Sequence, residues 1–316
     1  MNVLVSGCAG FIGTHFVRYL LDAHPDFRIV GVDALTYAAN PRELAKTREN
    51  ARFAFYHANI CDREAMREIF ERERPEIVVN LAAESHVDRS ITSPDLFVRT
   101  NVLGTGVLLD LSLAFKVRRF HQVSTDEVYG DLPLESTECF TEDSPLRPSS
   151  PYSASKASAD LLALSYHRTY GLSVTVSRSS NNYGAYQHPE KLIPLTVSHA
   201  LRGEPVPLYG TGEHRRDWLH VLDHCRALDL ILARGRAGEI YNIAAGNELS
   251  NLALVRRILS MLSLGDELLS FVPDRAGHDR RYPIDTTKIE RELGFFPRIS
   301  FEAGLADTVA FYRDVF

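Results

Sequence analysis

No apolar run in this chain approaches the eighteen or so residues that a membrane span requires. An excess of basic residues is missing too. With 35 Lys and Arg against 41 Asp and Glu the net charge is -6, which leaves no electrostatic footprint for nucleic acid. Cysteine is sparse. The four residues Cys8, Cys61, Cys139 and Cys225 are scattered without paired spacing, which predicts reduced thiols in a cytoplasmic protein rather than a disulfide framework. Internal repeats and low-complexity tracts are absent. Asn2 to Ser6 already reads as a strand, so no signal peptide is expected. What is present, 45% hydrophobic and 24% charged residues in 316, is the composition of an ordinary globular protein of about two domains.

Two stretches near the middle organise the rest. Val117 to Val123 is an apolar run of strand character, and Ser124-Thr125-Asp126-Glu127-Val128-Tyr129-Gly130 follows it. Thr125, Asp126 and Glu127 then emerge at a strand's carboxyl end, where ligands sit in open α/β sheets. Further on comes Tyr152-Ser153-Ala154-Ser155-Lys156. In a helical segment Tyr152 and Lys156 share one face. An ammonium beside a phenol favours phenolate, drawing its pKa down from about 10 and making Tyr152 a candidate general base. The adjacent carboxyls Asp126 and Glu127 offer a second set of proton-transfer groups.

At the N-terminus a short strand, Asn2 to Ser6, runs into Gly7-Cys8-Ala9-Gly10-Phe11-Ile12-Gly13 and then an amphipathic helix that stops before Pro25. Strand, glycine turn and helix cradle a pyrophosphate, because glycine lets the backbone approach and the helix start offers N–H groups and a positive dipole end. A second run, Arg28 to Val32, ends at Asp33, twenty residues after Gly13, placed to accept hydrogen bonds from an adenosine ribose. A carboxylate there repels a 2′-phosphate, which favours NAD over NADP. Strand-like runs at 53–56 and 77–83 alternate with helical ones at 63–73 and from Pro94 to Phe115. The fold class predicted is α/β, a Rossmann-type doubly wound parallel sheet, with Asn59, Ile60 and Leu81 to Ser85 at strand ends. Residues 131–150 read as a loop. After about Asn181 the texture changes to a long polar loop, short strands and helices. A division follows into a dinucleotide domain, 1–180, and a smaller substrate domain, 181–316, some of whose segments return to the first.

With these residues in hand the chain resembles the extended short-chain dehydrogenase/reductases that act on nucleotide sugars, and among them the dTDP-glucose 4,6-dehydratases. The resemblance spans essentially the whole chain. It is carried by Thr125-Asp126-Glu127, by Ala82 to Ser90, by Asn181 to Pro194, by Arg215-Arg216-Asp217-Trp218 and by Asp274 to Tyr282. Its most specific element is the Asp-Glu pair, which sibling epimerases and decarboxylases do not usually carry together. The resemblance implies NAD against Gly7, Gly10, Phe11, Ile12, Gly13, Asp33, Ala34, Leu35, Thr36, Asn59, Ile60, Leu81, Ala82, Ala83, Ser85, Thr100, Tyr152, Lys156 and Asn182. It implies a sugar nucleotide against Ser85, His86, Thr125, Asn181, Lys191, Leu192, Pro207, Tyr209, Arg216, Asn251, Arg275, His278 and Tyr282. Lys191, Arg216 and Arg275 suit a diphosphate and Tyr209 a base.

The implied reaction is an internal redox elimination, used in making deoxysugars. Tyr152 takes the 4-hydroxyl proton as C4 is oxidised, with Thr125 on the same oxygen. Glu127 removes the C5 proton, Asp126 protonates the departing 6-hydroxyl, and C6 is then reduced. The two carboxyls need opposite protonation states. Cys8 stands where the family usually has Gly, and Asn59 where it usually has Asp. Two rival readings are a sibling 4-epimerase or decarboxylase and a catalytically silent dinucleotide-binding sensor. No metal is expected: His220, His224 and Cys225 look like ligands, but Val221 stands where a zincin helix has Glu. A homodimer is expected, because Leu108, Leu109, Leu111 and Leu113 on one helix and Leu161, Leu162 and Leu164 on another exceed one buried stripe.

Overall fold

The computed structural model describes residues 1–316. Its strands are β1 (Asn2–Ser6), β2 (Arg28–Asp33), β3 (Phe53–His57), β4 (Ile77–Asn80), β5 (Arg119–Thr125), β6 (Val174–Ser179), β7 (Asn181–Tyr183), β8 (Val206–Tyr209), β9 (Arg215–His220), β10 (Ile240–Ile243), β11 (Glu248–Ser250) and β12 (Leu269–Val272). Seven of them form one parallel sheet in the order β10-β6-β5-β4-β1-β2-β3. The order reverses between β1 and β4, and that reversal opens a crevice at the carboxyl ends of the strands.

Alternate residues of each strand feed two separate cores. Val3, Val5, Ile29, Ile77 and Val79 pack on one face with Phe16, Val17 and Leu20 of the helix Phe11–Ala23. Leu4, Val30, Val32, Val78, Phe120 and Val174 pack on the other with Met66, Ile69, Leu108 and Leu111. A strand covered on both faces has no polar side to show, which is why these segments read as unbroken apolar runs. The chain beyond Asn181 returns to this body. The helix Val221–Arg234 lies on Phe11–Ala23, β10 extends the sheet beside β6, and Ile289 and Leu293 complete the first core. The remaining strands make two small sheets: β11-β9-β7 lies by a core of Tyr183, Ile193, Trp218, Leu254, Ile258, Phe301 and Leu305, and β12-β8 by one of Ala200, Val206, Leu208, Val255 and Leu259.

Three expectations need correction. The polar stretch after Ser180 is not all loop, because Asn181–Tyr183 pairs with β9. The segment Pro94–Ala114 is one continuous 21-residue helix that by length and composition could cross a membrane. Asp95, Arg99 and Asp110 had hidden that in the sequence. Half of its most apolar stretch is buried in the fold. Finally, Leu108, Leu109 and Leu111 are core residues, so the apolar surplus on this face comes from Val98, Leu103 and Leu161, each more than half exposed.

The same helix contains a π-helical stretch, Val98–Gly104, with Asn101 inside it. Asn101 accepts from the Glu84 N–H at 2.9 Å and donates to the Glu84 carbonyl at 3.0 Å and to Ser155 Oγ at 2.8 Å. It thereby ties the segment after β4 to the helix Pro151–Tyr170.

Candidate active site

A cleft of about 330 Å³ lies along the carboxyl ends of β1, β2, β4, β5 and β6. One wall is the glycine turn. Gly7 has φ of +70°, and a Cβ there would stand 2.7 Å from the Ala82 nitrogen; at Gly13 a Cβ would stand 2.0 Å from the Gly7 carbonyl oxygen. The turn therefore packs against both the chain after β4 and the start of its own helix, and only glycine fits either contact. No side chain caps the helix Phe11–Ala23 at Gly10, so its first N–H groups face the cleft uncovered, as an anion site requires. Asp33 accepts from the Ala9 N–H at 2.9 Å and the Leu35 N–H at 2.8 Å. It locks the turn and keeps lone pairs free for a further donor.

Of the residues assigned to the cofactor, all but Leu35 line this cleft. Leu35 holds a positive φ of 51°, uses its backbone N–H on Asp33 and turns its side chain to solvent. Asn59 lies in the lining and accepts from the Cys61 N–H at 2.9 Å. Cys8 is buried beneath the turn at 3% exposure.

Thr125, Asp126, Glu127, Tyr152 and Lys156 converge at the inner end. Thr125 closes β5 and Asp126 to Tyr129 form a 3₁₀ turn, so both carboxyls sit immediately past the strand. Asp126 is 2% exposed and accepts from Thr125 Oγ1 at 3.2 Å. Burial, and then the neighbouring Glu127, push its carboxyl well above the usual range. Glu127 is only half-buried. Two adjacent carboxyls thus sit in unequal surroundings.

The phenol of Tyr152 departs from expectation. Burial first, then Glu127 and Asp126, push its pKa up, against a hydrogen bond with Thr125 that favours the phenolate. The Lys156 Nζ donates at 2.6 Å to the Val123 carbonyl rather than to the phenol. Burial lowers the Lys156 ammonium to about 8.

The sugar-nucleotide set divides. Ser85, Thr125, Asn181 and Lys191 line the cleft, and Lys191 Nζ lies 3.5 Å from the Ser85 carbonyl. Beyond it Asp88 acts as a hub that the sequence had not singled out. It accepts from Tyr209 Oη at 3.1 Å, faces Arg275 at 3.6 Å and lies 4.0 Å from His86. Tyr209 meets His278 edge-on, with centroids 5.7 Å apart. Arg216 lies over the Tyr282 ring at 4.4 Å, and Tyr282 Oη reaches Asn181 at 3.4 Å. Asn251 gives its N–H to the His214 carbonyl, and its side-chain oxygen is buried without a partner. His86, Leu192, Pro207, Tyr209, Arg216, Asn251, Arg275, His278 and Tyr282 lie outside the lining of the cleft. Leu192 packs between two small cores, and Pro207 lies within β8.

The histidines suggested by spacing separate. His220 caps its helix at Leu222, His224 bonds Asn182 Oδ1 at 2.9 Å, and Cys225 is in the core. A different group gathers instead. His214 and His278 stack at 3.8 Å and each meets an oxygen of Asp274, at 3.2 and 2.6 Å, so that all three present ligand-type atoms within 4.8 Å. Burial depresses both imidazoles, His278 to about 3, so at neutral pH both are uncharged; His278 Nδ1 donates to Asp274 Oδ1, and His214 Nε2 lies near Oδ2. His214 gave no signal in the sequence, and Asp88 and Asp274 entered only inside stretches that carry the resemblance, because the contacts that join them to Tyr209, Arg275 and His214 are tertiary.

This constellation has relatives. The protein-family model described as GDP-mannose 4,6 dehydratase matches residues 4–308. A dTDP-glucose 4,6-dehydratase of Haemophilus influenzae is 48% identical, with 99% of this chain and 98% of that protein covered. One from Streptomyces griseus is 51% identical over 99% and 94%. In three dimensions the chain is similar to a Streptomyces venezuelae dTDP-glucose 4,6-dehydratase crystallised with NAD and dTDP bound, with TM-score 0.96, 50% identity and coverage of 99% and 97%. It is also similar, at 34% identity and TM-score 0.90 over 100% and 99%, to a UDP-glucose 4-epimerase of Thermotoga maritima. Matched over nearly its whole length and built around the adjacent Asp126 and Glu127, this chain belongs to the dTDP-glucose 4,6-dehydratase family.

Proposed function

We propose that the protein is an NAD-dependent lyase that converts an NDP-glucose, dTDP-glucose first among them, to the 4-keto-6-deoxy sugar. The observation that carries this is the unequal carboxyl pair. An epimerase needs one base at the sugar hydroxyl, whereas elimination across C5 and C6 needs a base and an acid together. Buried Asp126, held protonated, is the acid for the departing 6-hydroxyl. Half-exposed Glu127 is the base for the C5 proton, made acidic once C4 is a ketone.

NAD, when bound, supplies an electron-pair acceptor and a positive charge. Gly7 to Gly13 and the uncovered helix start hold its pyrophosphate, and Asp33 holds its adenosine ribose. Tyr152 and Thr125 would bind the 4-hydroxyl, and Tyr152 would take its proton as the phenolate, which the cofactor's positive charge would favour against burial. Lys191, Arg216 and Arg275 hold the sugar nucleotide's diphosphate.

We also propose a homodimer. Val98, Leu103 and Leu161 stand on the paired helices Pro94–Ala114 and Pro151–Tyr170, 51%, 61% and 58% exposed. A second copy of the same surface covers them self-complementarily. Sedimentation at micromolar concentration checks this, and a monomer overturns it. The free state of all four cysteines supports a reducing compartment, the cytoplasm.

The test of the activity is incubation with dTDP-, UDP- and GDP-hexoses and mass analysis for loss of water. Dehydration of dTDP-glucose is expected. Release of only a 4-epimer favours the sibling activity, and no turnover of any sugar nucleotide overturns the enzyme reading.

A further inference from the structure

Behind the cleft three ionisable side chains are sealed from water: Lys156 is 4% exposed, Asp160 0% and Arg178 2%. Lys156 and Asp160 are one turn apart on the helix Pro151–Tyr170 and share a face. Arg178 comes from β6, and its Nε donates to Asp160 Oδ2 at 3.0 Å. Its Nη1 donates to Tyr129 Oη at 3.0 Å, and Tyr129 donates onward to Asn242 Oδ1 on β10 at 2.7 Å. The guanidinium also lies 4.8 Å from the centroid of the Tyr129 ring. Arg178 is thus fixed from both sides. The second carboxyl oxygen of Asp160, Oδ1, is buried without a hydrogen-bond partner.

A buried ion pair contributes little to stability for its own sake, since apolar groups of the same volume commonly do as well. This pair has a third neighbour. The Lys156 ammonium is satisfied as a donor by the Val123 carbonyl, but a neutral carbonyl does not balance a buried charge. Among the surrounding groups Asp160 is the anion that favours the charged form of Lys156, working against burial.

The other charges near Lys156 do not take that part. Tyr152 and Asp126 in the cleft are pushed toward their neutral forms. Glu127 acts on Tyr152, Asp126 and Lys191. On the far side Asp160 faces Arg178 of β6 and Ser124 of β5.

We propose that Asp160, fixed by Arg178, is a positioning residue that keeps Lys156 protonated while the site works. Burial raises the Asp160 carboxyl above its ordinary range, and Arg178, a cation at any working pH, is the strongest influence opposing its protonation, with Lys156 next. The ionised carboxyl in turn opposes deprotonation of Lys156. Strand β6 thereby acts on the cleft through a side chain that never reaches it. The inference rests on the proposed role of Tyr152 as base, whose phenolate a protonated Lys156 favours.

The sign follows directly. Asp160→Asn removes the anion and leaves two buried cations, so Lys156 gives up its proton at a lower pH. The alkaline limb of kcat moves toward acid by on the order of one pH unit, the low end for loss of a close opposite charge. The chain has five lysines, Lys46, Lys116, Lys156, Lys191 and Lys288. Lysine-selective NMR of the side-chain nitrogens therefore follows each one, with Lys156→Arg giving the assignment. In Asp160→Asn the Lys156 midpoint is expected to fall together with the kcat limb. An unchanged midpoint overturns the proposal.

The double variant Asp160→Asn/Arg178→Met also removes the second cation. Its Lys156 midpoint is expected below that of the unmodified protein but above that of the single variant. A purely structural role predicts no Lys156 shift in either. If the single variant does not fold, the double variant decides, and no acid shift there overturns the idea. The titration uses no substrate. Failure to dehydrate any sugar nucleotide therefore leaves its result standing, and an unshifted Lys156 leaves the dehydratase reading standing.

Discussion

The two halves of the proposed site, the cleft and the cluster of side chains beyond it, are built by different means. The cofactor half is backbone: a glycine turn that admits no Cβ at Gly7 or Gly13, an uncapped helix start, and Asp33 clamped by two N–H groups. The sugar-nucleotide half is side chain against side chain, with Asp88, Tyr209, Arg275, His278 and Asp274 drawn from remote parts of the chain. A backbone-held half is rigid and indifferent to salt. A half held by part-exposed ion pairs is screened by salt and open to retuning by single substitutions.

Substitutions sharpen or break this contrast, and the largest effect lies at the seam between the halves. Glu127→Gln should slow elimination by about 10²–10⁴-fold while leaving oxidation at C4 in place, so reduced-nicotinamide absorbance accumulates with a 4-keto hexose that keeps its 6-hydroxyl. Tyr152→Phe should instead suppress that absorbance. Elimination at the unmodified rate by Glu127→Gln removes Glu127 from the role of base; single-turnover absorbance with quench and mass analysis reads both variants.

In the backbone half, Gly13→Ala places a methyl 2.0 Å from the Gly7 oxygen. The expected loss is about 1–3 kcal/mol of stability, together with the thermal stabilisation that NAD confers. A melting curve that still rises normally with NAD shows that the turn is softer than its contacts imply. Asp33→Ala is milder. It frees the Ala9 and Leu35 N–H groups and removes the ribose acceptor, for roughly 1–3 kcal/mol, near tenfold or more in NAD affinity. Discrimination against NADP should relax as well, and equal binding of NADP by the unmodified protein contradicts the role of Asp33. Smallest is Asp88→Asn in the side-chain half. It weakens the hold on Tyr209 and Arg275, so KM for the sugar nucleotide should rise by a few-fold with kcat unchanged. A fall in kcat instead places Asp88 closer to the chemistry than its position beyond Lys191 implies.

This division also explains what could be read from the chain alone. The glycine turn, Asp33, the Asp-Glu pair and Tyr152 with Lys156 are local patterns whose spacing is fixed by strand and helix geometry, and the cleft brings them together. The strands buried on both faces announced themselves as apolar runs. Short strands such as β10 and β12, four residues each, carry too little periodicity to be recognised. Asp88, His214 and Asp274 look like surface charges until tertiary contacts pair them. Asn101 sits inside a helix, where nothing in its neighbours betrays that its amide reaches Glu84 and Ser155. The supposed lowering of the Tyr152 pKa by Lys156 followed from one-turn spacing alone. The depth of burial and the direction of the Lys156 donor were not in that spacing.

The seventh strand has a consequence for how the molecule is assembled. The chain leaves β6 at Ser179, builds β7, β8 and β9, and only then lays β10 against β6, with Asn242 arriving opposite Arg178 and under Tyr129. A fragment ending near residue 180 would expose β6 as a bare edge, an invitation to pair with another chain, and would leave Tyr129 without its acceptor. The sheet's last hydrogen-bonded ladder therefore closes across a long loop of sequence, a late and slow kind of contact in folding. The first 180 residues alone would therefore lack the sheet's last strand.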